Sequence, residues 1–332
     1  MKNERIKNQF VVNEIFKKYA MFFVLIAMGV VFSIASPSFL TPTNLMNILV
    51  SEASRGLLAV GVAFCIITRG IDLSLGSVIA VSSVVSASLV QDPTYISAIF
   101  PNLPHIPAWV AVIAGLAGGT LFGLINGLLI AYTHIHPFVA TLGTQSMARG
   151  IALIYTHAYP VAMLRPEFTA IGQGKLFGVI PNVVVVFVFV VIIAGIILNF
   201  TRFGKNMYAI GGNVTAARAS GVNVEWCLVR VYCWASFCAA LAGILMAARS
   251  GSGNATLGEG YELDGIAAAT IGGVSQTGGV GTIVGIVGGI LVLGVINNGL
   301  LILGVSSYMQ KVVKGAIIVL AVVIDVMKEN KK

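Results

Sequence analysis

The feature that most limits the fold is a succession of long apolar runs divided only by short clusters of proline, glycine and polar residues. A helix needs about 20 apolar residues to cross a hydrocarbon layer about 30 Å thick. In lipid, only helices and closed barrels satisfy every backbone N–H and C=O. The runs place helical spans near residues 19–36, 45–68, 74–90, 108–132, 138–157, 181–199, 226–248, 263–275, 280–300 and 309–327. The expected fold is an all-α polytopic membrane protein of about ten helices. Composition leaves no room for a large extramembrane domain, because 57% of the 332 residues are hydrophobic and 10% are charged, against roughly 25% charged in a soluble domain. The expected division is a segment 1–18, a transmembrane domain 19–327 and a basic tail 328–332.

The eighth run, 263–275, is short enough to be either a crossing or a re-entrant segment, and charge decides between them. With ten crossings, the cytoplasmic side receives Lys2, Arg5, Lys7, Lys17, Lys18, Arg69, Arg202, Lys205, Arg218, Lys328, Lys331 and Lys332, while the outside keeps Arg165, Lys175 and Arg249. Omitting the eighth crossing would carry the C-terminal lysines outside, against the positive-inside bias. Ten spans with both termini cytoplasmic are therefore expected. Residues 1–18 are polar and basic, and no small-residue cleavage site follows the first run, so 19–36 is expected as a retained span. The net charge of +8 gathers at the chain ends and in one loop. That spacing fits membrane anchoring and not nucleic acid. Cys65, Cys227, Cys233 and Cys238 lie inside apolar runs with neither zinc nor disulfide spacing, so no metal is expected.

Residues 118–130 and 288–302 resemble each other, with Gly-Gly at the start and Asn126-Gly127 or Asn297-Asn298-Gly299 near the end. They fall in the fourth and ninth spans and would run in opposite directions, as in an inverted internal repeat; chance likeness of Gly- and Leu-rich helices is the alternative. Gly115, Gly119, Gly123 and Gly127 form one four-residue ridge, and Gly281, Gly285 and Gly289 another. Such ridges let helices pack closely, within one subunit or at a subunit interface. Polar residues at membrane depth are costly and mark functional candidates: Glu52, Arg55, Thr141, Thr144, Gln145, Arg149, Asn126, Asn297 and Asn298, of which Asn126, Thr141, Thr144, Gln145, Asn297 and Asn298 are the pathway candidates. Amides and hydroxyls can hydrogen-bond a polar, uncharged solute. Glu52 stands three residues before Arg55, the spacing of an ion pair on one helical face. The histidines, His105, His134, His136 and His157, fall at span ends or in loops, which argues against a proton relay.

The segment 200–225 is the longest polar interruption. It contains Thr201, Arg202, Gly204, Lys205, Gly211, Gly212, Asn213, Ala216, Ala217, Ser220 and Gly221. Its Ala-Ala-Arg stretch is helix-prone, with Asn213 placed to cap it. Such a loop suits either docking on another subunit or lying on the headgroups. The chain has no Gly-x-x-x-x-Gly-Lys-Ser/Thr phosphate loop, no nucleophile elbow and no metal-spaced set of His, Cys and Glu, so no ATP hydrolysis by that route and no enzyme activity are expected.

Four motifs carry a resemblance over nearly the whole chain: Gly70-Ile71-Asp72-Leu73-Ser74-Leu75-Gly76-Ser77, Pro137-Phe138-Val139-Ala140-Thr141-Leu142-Gly143, the 201–222 loop, and Tyr261-Glu262-Leu263-Asp264-Gly265-Ile266-Ala267-Ala268. In this order they resemble the permease subunits of bacterial ribose- and galactose-type monosaccharide ATP-binding-cassette (ABC) importers. Gly265 departs from the alanine usual there, a change worth roughly 1 kcal/mol of helix propensity. The resemblance implies a homodimer in the lipid of the bacterial cytoplasmic membrane, two separate cytoplasmic ATPase subunits, and a periplasmic or lipid-anchored sugar-binding protein. It implies no cofactor. On this reading the 201–222 loop couples to the ATPase, outward Arg165 and Arg249 are candidates for docking the binding protein, and Asp72 caps the helix after a turn built on Gly70 and Gly76. A branched-chain amino-acid ABC permease and an ion-coupled secondary carrier are the rival readings.

Overall fold

The computed structural model describes residues 22–329. The predicted segment 1–18 and the last three residues of the tail, 330–332, lie outside the described residues. The helices are α1 (Phe22–Ala35), α2 (Pro42–Ile67), α3 (Leu75–Ser88), α4 (Ala108–Thr133), α5 (Pro137–Thr156), α6 (Pro166–Gln173), α7 (Asn182–Phe200), α8 (Arg202–Gly212), α9 (Val214–Ala219), α10 (Val224–Ser250), α11 (Tyr261–Ile271), α12 (Ile283–Ile302) and α13 (Ser307–Glu329). Between α6 and α7 lies a two-stranded antiparallel hairpin of β1 (Lys175–Leu176) and β2 (Ile180–Pro181). Local chemistry sets the starts. Pro42, Pro137 and Pro166 occupy first turns, where a missing N–H costs nothing. Thr201, Asn213, Asn223 and Thr282 cap α8, α9, α10 and α12 through their side-chain oxygens.

All ten expected apolar segments coincide with helices. Among the described residues, α2, α4, α7, α10 and α12 are long and apolar enough to cross a membrane by length and composition alone. Helices α2 and α10 form the centre and bury most of their residues. Helices α4 and α7 bury only a stripe and leave residues such as Leu121, Phe189 and Ile192 exposed on their outer faces.

Two ends of the bundle are defined by their contacts. At one, Gly279 N–H donates to Ile67 O (2.8 Å) and Tyr208 Oη to Gly281 O (2.8 Å), which gathers α8 with the C-terminus of α2 and the start of α12. At the other, Arg165 N–H donates to Val90 O (2.9 Å) and Val161 N–H to Gly253 O (2.8 Å), which gathers α6 with the segments after α3, α5 and α10. Consecutive membrane helices therefore alternate in direction. The short eighth segment does traverse the bundle: α11 is flanked by glycine-rich chain, built largely of turns, that reaches Val161 at one end and Ile67 at the other. Non-helical backbone at that depth is tolerated because it is buried in protein.

The packing pattern repeats. Helix α3 packs on α4, α5 and α10 as α11 packs on α12, α13 and α2, and α10 packs on α4 as α2 packs on α12. Exchanging α2–α5 with α10–α13 preserves these neighbours, with α4 and α12 running oppositely. This is the arrangement expected of an inverted repeat. Both glycine ridges serve packing inside the subunit. A Cβ on Gly119 would stand 2.6 Å from Ala240 Cβ, one on Gly127 2.7 Å from Val229 Cα, and one on Gly289 2.8 Å from Gly272 N.

Candidate functional site

Three polar layers lie inside the apolar bundle. The first joins the turn before α3 to α4 and α5. Ser74 donates to Asp72 Oδ1 through its N–H (2.9 Å) and its hydroxyl (2.6 Å), Asn126 Nδ2 donates to Ser74 Oγ (2.9 Å), and Thr144 Oγ1 donates to Asn126 Oδ1 (2.7 Å). All four residues are buried, as is Thr141, whose hydroxyl returns to Pro137 O (2.9 Å). Asn126, Thr141 and Thr144 are thus sealed in the core of this conformation. Asp72 ties down the residue ahead of the helix, Ser74 being the N-cap position. The turn differs from expectation too. The left-handed residue is Arg69 (φ 62°), not a glycine. Gly70 and Gly76 are required for close approach, since side chains there would strike Tyr232 Oη and the Glu262 carboxylate respectively.

The second layer lies next to the first. Gln145 Nε2 on α5 donates to Glu262 Oε1 on α11 (3.1 Å). Arg149, one turn further on, donates to Ala255 O (2.5 Å), Leu257 O (3.1 Å) and Gly76 O (3.1 Å). Sequence reasoning singled out Gln145 but not its partner. The sole signal for Glu262 was its place in the Tyr-Glu-Leu-Asp motif.

The third layer joins α2 of one repeat to α11, α12 and α13 of the other. Glu52 pairs with Arg55 (3.2 Å), as their spacing predicted, and Arg55 lies 5.0 Å from the centre of the Tyr261 ring. Lys314 pairs with Asp264 (2.9 Å). Asn297 lines a small cleft with Glu52, Arg55 and Asp264, and its Oδ1 is buried without a partner. Asn298 instead exchanges amide hydrogen bonds with Asn44 (2.9 and 2.8 Å). By the repeat, Ser74, Asn126 and Thr144 correspond to Asp264, Asn297 and Lys314. Gly70-Ile-Asp-Leu-Ser matches Gly260-Tyr-Glu-Leu-Asp, and Thr144 and Lys314 each stand seven residues into their helix. One node ties hydroxyls and an amide to Asp72 and is sealed, while the other holds ion pairs beside a cleft.

At the α8 end, the predicted loop 200–225 is two helices, of which only α9, capped by Asn213 through Ala216 N–H (3.0 Å), was anticipated. Arg202, Lys205, Gly212, Asn213, Ala216, Ser220 and Gly221 are exposed, while Thr201 is half-buried. Gly204, Gly211 and Ala217 are buried against the bundle. Arg69 clamps the platform, donating Nε to Gly211 O (2.6 Å) and Nη2 to Gly212 O (2.8 Å), both carbonyls of the last turn of α8.

At the α6 end, Arg249 is exposed. Arg165 is half-buried and its guanidinium donates to Ile106 O, so it fastens the 90–107 connection. Glu167 pairs not with Arg165 but with His105 (3.3 Å between Nε2 and Oε1, an ion pair when His105 is protonated). Among the described residues no cluster of His, Cys, Asp and Glu is grouped to hold a metal.

No solved structure matches the chain. Residues 44–322 match the family model described as branched-chain amino acid transport system / permease component. The chain is 41% identical over 326 residues to the galactose/methyl galactoside import permease protein MglC of Haemophilus influenzae, covering 96% of this chain and 97% of that one. It is 39% identical to MglC of Escherichia coli (95% and 96% covered) and 40% identical to the ribose import permease protein RbsC of Bacillus subtilis (94% and 93%). A match across most of the chain, on a polytopic helical bundle whose interior carries layered polar residues, places the chain in this family of membrane transport permeases.

Proposed function

We propose that the chain is the membrane-spanning permease subunit of an ABC importer for a monosaccharide or related polyol. It works in the bacterial cytoplasmic membrane as a homodimer, with separate ATPase subunits on one side and a periplasmic or lipid-anchored sugar-binding protein on the other. The observation that carries this reading is near-full-length similarity to permeases named for galactose and ribose import. The family description names branched-chain amino acids. Those relatives cover more than nine-tenths of this chain and are named for sugars, which favours sugar.

On this reading, the α8 end is cytoplasmic, in keeping with Arg69, Arg202, Lys205 and Arg218 there. The exposed faces of α8 and α9 within 200–225 receive the ATPase subunits. Closure of the ATPase pushes α8, and the Arg69 clamp with the Gly279–Ile67 hydrogen bond passes that displacement to α2 and to the chain between α11 and α12. The two repeats then rock against each other, a rigid-body switch between packed states. Gln145 and Asn297 are the pathway candidates beside open space. Asn126, Thr141, Thr144 and Asn298 hold the helices that border it. Arg249 meets acidic groups of the binding protein, with Arg165 shaping the surface beside it.

Reconstitution in proteoliposomes with its ATPase and binding-protein partners, assayed with radiolabelled D-galactose and D-ribose, tests the proposal. ATP-dependent uptake of one of them is expected. Uptake by the chain alone, driven by an ion gradient, would replace the ABC reading with that of a secondary carrier.

A further inference from the structure

Two short membrane helices, α3 and α11, meet head to head. Helix α3 has 14 residues and α11 has 11, about 21 Å and 16 Å at 1.5 Å per residue, so neither crosses a core of about 30 Å by itself. The C-terminus of α3 lies at the α6 end and that of α11 at the α8 end, so both N-termini fall in the interior. Each belongs to a different repeat, and short segments in corresponding positions of two inverted repeats are where transporters place solute.

Gly76 in the first turn of α3 lies against Glu262 in the first turn of α11, with no room for a Cβ between them. Glu262 is 6% exposed. A carboxylate at this depth is costly unless its oxygens are engaged. One is, by Gln145. The other, Oε2, is buried and has no partner. Two helix N-termini favour the charge of the group but leave its acceptor free. Arg149 is committed to three backbone carbonyls, which fix α3 and the chain before α11 relative to α5.

The surroundings differ from those of the neighbouring layer, where Asn126 and Thr144 are sealed. Gln145 is half-buried, and on α5 it adjoins exposed Leu142, Gly143, Ser146 and Met147; a Cβ on Gly143 would meet nothing within 4 Å. The Gly76–Glu262 seam is also a contact between the two repeats. Rocking one repeat against the other opens that seam and frees Oε2 towards the α5 face.

Resting on the permease reading above, we propose that Gln145 and Glu262 form a contact site for the hydroxyl groups of a polyhydroxylated solute midway through the pathway. The Glu262 oxygen accepts from one hydroxyl, and the Gln145 amide serves a neighbouring one. Gly76 and Arg149 are positioning residues that hold the two half-helices to the site.

The test uses the full complex in proteoliposomes, after the wild type has shown which of D-galactose and D-ribose it imports. Gln145→Cys, in a chain freed of its four native cysteines, is treated with a charged methanethiosulfonate reagent during turnover. Rapid modification that the imported sugar slows is expected. Reaction only with an apolar maleimide, or charged-reagent modification that the sugar does not slow, would overturn the site. Independently, Glu262→Gln is expected to raise the KM for uptake by about tenfold or more, the scale of a lost charge-assisted hydrogen bond, and to narrow the discrimination between the sugar and its monodeoxy analogues. Stimulation of the ATPase by binding protein should persist. Unchanged KM and unchanged discrimination in Glu262→Gln would likewise overturn it. If the wild type imports neither sugar, the sugar reading fails first, which distinguishes that failure from failure of the site.

Discussion

Gly211 and Gly212 are adjacent in sequence, yet a methyl group should affect them oppositely. A Cβ on Gly211 would land on Ile67 O and Gly279 N, the two atoms of the 2.8 Å hydrogen bond that ties α2 to the chain after α11. Backbone on both sides leaves no flexible group to yield. Forcing an extra methyl into packed structure costs about 1–3 kcal/mol, and a broken buried hydrogen bond adds about 1–3 kcal/mol. Helix propensity returns up to about 1 kcal/mol for Gly→Ala. The net, about 1–5 kcal/mol, lowers the population of the docked α8 by about 5- to 5000-fold. Gly212 has nothing within 4 Å of its Cβ position. Gly211→Ala should therefore abolish most sugar import per ATP hydrolysed in proteoliposomes while the ATPase still turns over, and Gly212→Ala should match wild type. Equal coupling ratios in the two variants would refute the view that α8 transmits through this contact.

Other consequences follow from the same geometry. In a cysteine-free background, Phe177→Cys on the hairpin should react with an impermeant thiol reagent added outside cells and Ser220→Cys only after permeabilisation; the reverse result would invert the topology. Gly265→Ala should be tolerated, because its Cβ would meet its nearest atoms at 3.4 Å, and should gain up to about 1 kcal/mol of helix stability, read as a higher Tm in detergent. Asn126→Ala should cost about 1–3 kcal/mol by removing the buried amide that joins Ser74 to Thr144, read as a lower Tm.

The sequence made the spans legible because lipid imposes one rule on every backbone group, so apolar length located nine of them and the charge balance decided the eighth. It also yielded the Glu52–Arg55 pair and the Asn213 cap, which depend on neighbours three residues apart. What it did not yield was non-local. Helix α8 was hidden because its surface is polar and three glycines, Gly204, Gly211 and Gly212, lie within it, and only Thr201 signalled its start. The partnership of Gln145 with Glu262, 117 residues away, has no local signature. Gly70 and Gly76 were read as turn formers, whereas their need arises from Tyr232 and Glu262 on other helices. Arg165 donates to Ile106 O and Glu167 faces His105, links to a segment about 60 residues earlier that no local spacing signals. Inverted repetition was visible as one Gly-Gly to Asn likeness, and became an argument once the neighbours of α3 and α11 matched.

This chain is expected to move a sugar only when an ATPase works on its α8–α9 platform. The most direct measurement is uptake of radiolabelled D-galactose and D-ribose into proteoliposomes holding the chain with its ATPase, supplied with binding protein, with and without ATP. The account predicts uptake of at least one sugar that requires ATP and both partners. Uptake that persists without the ATPase, or import of a branched-chain amino acid in place of both sugars, would contradict it.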